Sequence, residues 1–388
     1  MEHHAWHAFI WKIFGPAVRL ITRILFGYTC ERVEVDGPFL LLCNHNTDLD
    51  PLMLRTSFPQ QMYFIASEHV VRTGLGGRLI RWLQDPIPRQ KGSSASSAVL
   101  AALRRLKAGC NVAVFPEGHR SWDGVTDSFP AATGKLVHSA AAAGASLVTY
   151  RLEGAYFASP PWGGKRIRRG KCTGRLVHIY SPEELRGMRP AAINELVAAD
   201  LYCDNYAIQR EKQIPFRTRH GAEHMETLFF LCPRCGGVST LHSHGDTVQC
   251  SACSLTVRYL PTGFLAGDIP FDNVRDWNLW QREQIRSLCE SAGEAPIFTD
   301  EAMELYAVET ARGRTLLHRG GLALYRDRLE MPGVTLTLDE IVGISLRSDQ
   351  DLYVGAARDF YLLHSDRVCC TSRYLTAIAI LTGREFGV

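Results

Sequence analysis

The stretch Phe39–Leu54, FLLLCNHNTDLDPLML, decides how the rest of the chain is read. Four large apolar residues and Cys43 read as a strand covered on both faces, which is written as a continuous apolar run rather than an alternating one. A second apolar run resumes at Leu52. The turn between them needs polar residues, but it does not need a His and two Asp. His45 and Asp50 are five residues apart, which on one continuous helix turns them about 140° away from each other. They meet only if His45 lies in the loop. The Asp-Pro pair supplies the break, with Asp50 as N-cap and Pro51 as the first helical residue. His45 then leaves the strand and folds back over the helix start, where the Asp50 carboxylate accepts its ring N–H and the other ring nitrogen stays free as a base.

A carboxylate that fixes the tautomer of an imidazole base is two thirds of a catalytic triad. No Ser or Cys stands nearby as nucleophile, so the proton to be removed belongs to a substrate hydroxyl. A lone H-x4-D would be read as a helix cap and a turn. A second motif, NVAVFPEGHRSWDG, changes that balance. It ends a buried strand, Val112–Phe115, with Pro116, Glu117, Gly118, His119, Arg120 and Ser121. Gly118 permits a sharp turn, Arg120 offers a planar fork for a phosphate, and Glu117 is suited to bind a polyol hydroxyl or orient that Arg.

With both motifs in order, the chain resembles the glycerolipid acyltransferase superfamily, typified by 1-acyl-glycerol-3-phosphate (lysophosphatidic acid) acyltransferases. The N-H-x4-D block is Asn44, His45 and Asp50, and FPEGHRS matches F-P-E-G-[TS]-R-S with His119 in place of the usual Thr. The resemblance covers roughly Phe39 to Pro182. It implies His45 as general base, Asp50 as its partner, and Glu117, Gly118 and Arg120 as acceptor-binding residues. Arg89, in DPIPRQKGSS, stands where the family's second block has an Arg, although the spelling differs. The fourth block normally ends in Pro, but Tyr150 is there instead, so no residue carries over from it. Tyr150, His119 and the altered second block are expected to border the acceptor pocket. The implied reaction moves a fatty acyl group from acyl-CoA or acyl-carrier protein to a lysophospholipid hydroxyl, in phospholipid biosynthesis.

Around these motifs strands and helices alternate, which argues for an α/β domain, a mixed sheet flanked by helices, over residues 29–217. Helices are expected from about Pro51, near Leu75–Gln84, over Ser94–Ala108, over Lys135–Ala143 and from Pro190 to Gln209. The character then changes. Cys232, Cys235, Cys250 and Cys253 form two C-x2-C knuckles separated by fourteen residues. That is the pattern of a zinc ribbon, here residues 227–262, with four thiolates and no open position, hence a structural rather than catalytic Zn. His242 and His244 are spare ligands beside a tetrahedron already complete. A helical linker over 263–298 leads to a mostly-β region, 299–388, closed by a helix near Tyr374–Gly383 and possessing the outline of a pleckstrin-homology-like domain.

The totals agree with an ordinary folded protein of two or three domains: 388 residues, 46% hydrophobic, 21% charged, net charge +3. Nucleic acid is not an expected partner on that charge. Twelve Cys, mostly isolated, fit a reducing cytosol better than a disulfide scaffold. Residues 1–28 are apolar and aromatic, but Lys12, Arg19 and Arg23 interrupt them before any run can span a bilayer. Those cations share one side of a helix. That suits a helix lying in an anionic membrane surface, at the cytoplasmic face of a membrane; it suits equally an amphipathic helix docked on the protein's own core. Pro16 predicts a break near Gly15. The basic run KRIRRGKCTGR, residues 165–175, is read either as a solvated loop or as an attractor for phosphate-rich CoA, an acidic carrier protein or anionic lipid. A contrasting class is a non-enzymatic, membrane-associated zinc-ribbon module that binds a protein or nucleic acid.

Overall fold

The structure is a computed structural model describing residues 2–67, 81–89, 96–164, 166–309, 313–347, 351–357 and 359–384. The chain forms two compact units that divide between Arg217 and Thr218, with Pro161–Gly164 joining the second.

The first unit opens with α1 (Glu2–Phe26) and continues through β1 (Thr29–Cys30), β2 (Phe39–Cys43), α2 (Asp50–Ser57), β3 (Met62–Ser67), β4 (Ile87–Arg89), α3 (Ser96–Lys107) and β5 (Asn111–Val114). It ends with α4 (Ala132–Ala142), β6 (Ser146–Glu153), α5 (Ala155–Ala158), β7 (Thr173–Tyr180), α6 (Pro182–Arg186), α7 (Pro190–Leu201) and α8 (Asn205–Lys212). Seven strands lie in the order β1-β7-β6-β2-β5-β3-β4, all parallel to their neighbours except the antiparallel β6–β7 pair. Every residue of β2 is buried, as a central strand with cover on both faces requires. Its two neighbours, β5 and β6, both come later in the chain, so the order reverses at β2 and a crevice opens at the carboxyl ends of these strands. The loops after β2 and β5 lie there.

Two expectations about helices are corrected. The segment from Pro190 to Gln209 is two helices, because Asp204 leaves helical geometry and its side chain caps α8 through the Ala207 N–H at 2.9 Å. Helix α1 runs through Pro16 without a break. Pro16 is exposed, so the carbonyl it leaves unpaired, that of Lys12, faces water and the usual cost is reduced. Of the helix expected at Leu75–Gln84, residues 81–84 are helical and the others lie outside the described residues.

Helix α1 has two apolar sides. His7, Ile10, Thr22 and Phe26 are buried, Trp11 lies over the buried Arg55 guanidinium at 4.1 Å, and Arg19 donates to the Thr56 carbonyl at 3.0 Å. Phe9, Ile13, Phe14, Leu20 and Ile24 are each more than half exposed. At about 100° per residue, Lys12, Arg19 and Arg23 flank the boundary between these sides. Among the described residues no helix is long and apolar enough to cross a membrane.

The second unit contains an antiparallel four-stranded sheet, β8 (Leu241–His244), β9 (Thr247–Cys250), β10 (Thr256–Tyr259) and β11 (Leu265–Gly267), followed by α9 (Val274–Ser291). A seven-stranded antiparallel sheet runs from β12 (Phe298–Glu309) and β13 (Gly313–Leu324) through β14 (Arg328–Met331), β15 (Val334–Thr337), β16 (Ile341–Arg347), β17 (Asp351–Ala356) and β18 (Phe360–His364). The closing helix is α10 (Ser372–Thr382). Two meanders, β12–β15 and β16–β18, join where β12 pairs with β18. Leu305, Leu322, Leu352 and Ile378 are in the core, and the buried Arg373 is held by Asp300 at 2.7 Å. Trp277 of α9 stacks on Phe229 and donates to the Leu231 carbonyl, fixing the chain that enters the first Cys knuckle.

Candidate active site and metal centre

The residue following β2 is Asn44, whose side chain acts as a clamp across to β6. Its amide donates to the Leu152 carbonyl at 2.9 Å and its oxygen accepts the Leu152 N–H at 2.8 Å. Fixed there, the chain turns away and presents His45. The His45 Nδ1 lies 2.9 Å from Asp50 Oδ2, as the motif spacing predicts. The imidazole stacks on Phe115 with ring centroids 4.2 Å apart, and its Nε2 has no hydrogen-bond partner among the described residues. An Nδ1–H donated to carboxylate leaves Nε2 as the acceptor nitrogen.

Asp50 does not cap the helix as expected. It is the first residue of α2, and its fully buried carboxylate turns back over the loop instead. There it accepts the N–H groups of Asn46 at 2.6 Å and Thr47 at 2.9 Å, and the Thr47 hydroxyl at 2.8 Å. The carboxylate thus fixes the whole loop as well as the imidazole, and the helix relies on Pro51, which has no N–H to satisfy, in its first turn.

Of the two aspartates in the opening stretch, the other has a separate use. Asp48 Oδ2 is 3.5 Å from the Arg120 guanidinium and is largely exposed. The loop after β5 brings Arg120 there, and the Ser121 N–H donates to the His45 carbonyl at 2.7 Å to lock the two loops together. Gly118 adopts φ +75, and a Cβ added to it would come within 3.3 Å of the Arg89 guanidinium. The positive φ is what favours Gly here; the Arg89 side chain could shift by the few tenths of an ångström a Cβ would ask. His45, Asp50, Arg89, Gly118 and Arg120 are therefore linked through these two loops and the end of β4.

Glu117 is buried, with one oxygen accepting the His45 N–H at 2.7 Å and the other the Asp127 N–H at 3.0 Å. Each oxygen thus accepts one backbone N–H within the protein. Burial pushes its carboxyl up to about 8, against the two backbone donors that favour the charged form. His119 packs beside it, Nδ1 being 3.0 Å from the Arg120 carbonyl and Nε2 3.7 Å from Asp127. Tyr150 corrects another expectation: it is fully buried, hydrogen bonded to Ser57 at 2.9 Å, and does not border an open pocket.

Asn205 is absent from any motif. Its amide donates to the Gly124 carbonyl at 2.9 Å and to Asn46 Oδ1 at 3.4 Å, and its oxygen accepts the Gly154 N–H at 3.0 Å. One side chain thereby ties the loops after β2, β5 and β6. No local signal marks it, since its partners are 51 to 159 positions away.

Residues 27–153 match the family model described as Acyltransferase. The match covers 127 of the 388 residues. The two motifs that the acyltransferase domain contains, N-H-x4-D and F-P-E-G, are those of the glycerolipid acyltransferase superfamily. Among solved structures, the chain is similar to the 1-acyl-sn-glycerophosphate (LPA) acyltransferase from Thermotoga maritima, with a TM-score of 0.40 at 20% identity over 52% of this chain and 78% of that one. No curated protein matches the sequence.

In the second unit, the thiols of Cys232, Cys235, Cys250 and Cys253 lie within 4.8 Å of one another. The Cys232–Cys253 and Cys235–Cys250 sulfurs are 3.7 and 3.8 Å apart. These separations are too long for a disulfide and close to the ~3.8 Å edge of a tetrahedron with ~2.3 Å metal–sulfur bonds. The cluster can hold a metal ion. His242 and His244 lie on β8 outside it.

Proposed function

We propose that the protein transfers a fatty acyl group from a thioester, acyl-CoA or acyl-carrier protein, to the hydroxyl of 1-acyl-glycerol-3-phosphate or a related lysophospholipid. The observation that carries this is the His45 Nδ1–Asp50 contact at 2.9 Å, which leaves Nε2 free inside an acyltransferase-family domain. His45 Nε2 removes the hydroxyl proton as the new C–O bond forms at the thioester carbonyl. The C–S bond then breaks, and the imidazolium returns the proton to the departing thiolate, giving ester and thiol. Asp50 holds the tautomer and stabilises the imidazolium. Arg120 and Arg89 are the acceptor's phosphate ligands; the exposed Asp48 is a weak partner that a phosphate displaces. Glu117 acts as a positioning residue, through the backbone of His45.

Zn is the metal assigned to the four cysteines, since a closed thiolate tetrahedron suits it. When bound it stabilises the fold of the ribbon, and no step of the transfer passes through it. The exposed side of α1, flanked by cations, supports a peripheral location on an anionic membrane at its cytoplasmic face. The seven antiparallel strands and closing helix of residues 299–388 support a pleckstrin-homology-like shape for that region. The binding-module alternative has less support, because a module of that kind has no use for a dyad with a free base nitrogen.

The test is product analysis with a panel of lysophospholipids and neutral monoacylglycerol, each offered acyl-CoA and acyl-carrier protein. Acylated lysophosphatidic acid or another lysophospholipid as product is expected. Thioester consumption without any acylated lipid would refute the assignment.

A further inference from the structure

Of the basic run at residues 165–175, Lys165 lies outside the described residues, and the fold divides the others among different tasks. Arg168 is buried, and the backbone of Arg169 pairs with that of Arg217. Lys171 instead lines a cavity of about 100 Å³ at the carboxyl end of β6, as does Lys212 of α8, while Arg175 reaches the Glu153 carboxylate in its wall. Glu153 lies beneath them, nearly buried. Its two oxygens take Arg175 at 3.1 Å and Lys212 at 3.0 Å. Two cations thus share one carboxylate, and Lys171 stands in the cavity wall without an ion pair to it, so that among the described lining residues two lysines face a single carboxylate. Asn205 and Thr173 add an amide and a hydroxyl to the lining.

This cavity lies at the same edge of the sheet as His45, one strand away. Leu152, which precedes Glu153, is the residue that Asn44 clamps, and Asn205 lines the cavity while bonding Asn46. Excess positive charge on a nearly buried carboxylate platform, with the Thr173 hydroxyl beside it, is matched by a phosphate ester. Glu153 holds the lysine and the arginine in place so that little ordering remains to be done on binding. We propose that Lys171 and Lys212, with Arg175 held beside them on Glu153, form a second phosphate subsite, separate from Arg89 and Arg120. Two substrates carry such a group, the CoA-type donor and the glycerol phosphate acceptor. The proposal rests on acyl transfer only for which of them supplies it.

Two measurements on the full chain test this. Calorimetric titration with CoA and with glycerol 3-phosphate compares the wild type with Lys171→Gln and Lys212→Gln; it requires no turnover, so its result is independent of the assigned reaction. At least one ligand is expected to bind the wild type and to bind each variant about tenfold more weakly. Equal binding by wild type and variants, or no binding of either ligand, overturns the subsite. Steady-state kinetics then name the source. A raised KM for acyl-CoA with an unchanged KM for acyl-pantetheine, which lacks the diphosphate and the nucleotide phosphate, assigns the donor. A raised KM for lysophosphatidic acid with an unchanged value for monoacylglycerol assigns the acceptor. A raised KM for the phosphate-free analogues as well would show a general disturbance and contradict the proposal. An unchanged thermal midpoint in Lys171→Gln, an exposed position, separates lost binding from lost structure.

Discussion

At the residue scale the site depends on buried carboxylates with unlike duties. Asp50 accepts four hydrogen bonds, from the imidazole, two backbone N–H groups and a hydroxyl. Asp50→Asn places an NH2 group among donors, so activity should fall by at least 10²-fold and stability by roughly 2 kcal/mol, measured by kinetics and denaturant unfolding. Retention of wild-type activity would mean that the loop does not need the carboxylate. Glu117 makes a pH prediction. Its carboxyl ordinarily titrates near 4.5 but is raised to about 8 in the fold. The folded chain therefore keeps a proton that the unfolded chain has released, and this contribution to stability is present below about 4.5 and lost as pH rises through about 8. The thermal midpoint of the wild type should fall between pH 5 and pH 8 more steeply than that of Glu117→Gln; parallel slopes would contradict the shift. His45 and Asp50 were legible from the seven residues His45–Pro51, because Asp-Pro fixes where the loop ends. The Asn44–Leu152 clamp, the double acceptance by Glu117 and the role of Asn205 were not, because each is made with residues whose proximity only the sheet order creates.

At the element scale, strands were more legible than helix boundaries. The all-apolar β2 could be nothing else, whereas Pro190–Gln209 has a helical composition throughout and only the cap at Asp204 divides it. Pro16 was misread because the rule against helix-interior proline assumes that the orphaned carbonyl lacks water. Helix α1 also shows why hydrophobicity alone left its role open: it buries one face in the protein and exposes another. Phe9→Asp and Ile13→Asp, both at positions more than half exposed, should abolish sedimentation with anionic vesicles while leaving the thermal midpoint unchanged. Unaltered sedimentation would remove α1 from the membrane contact. In the four-cysteine cluster, Cys spacing was enough to bring the thiols together, since each C-x2-C closes its own turn. Cys235→Ser or a strong chelator should expose Cys232–Cys253 to proteolysis; equal protection with and without chelator would show that the ribbon folds without metal.

At the scale of the whole molecule, the two units have separate cores and different dependencies. The proposed catalytic groups and the cavity beside Glu153 belong to the first, the thiol cluster to the second. Chelation should therefore lower one calorimetric transition and leave the other in place, whereas a single transition that moves as a whole would show that the units unfold together. The proposed chemistry, however, uses only the first unit's dyad. The most direct test is thiol release from acyl-CoA with and without a lysophospholipid acceptor, in the wild type and in His45→Ala. Acceptor-dependent release that falls at least 10²-fold in the folded variant is predicted; release that continues undiminished in His45→Ala would contradict the assignment of His45 as the base.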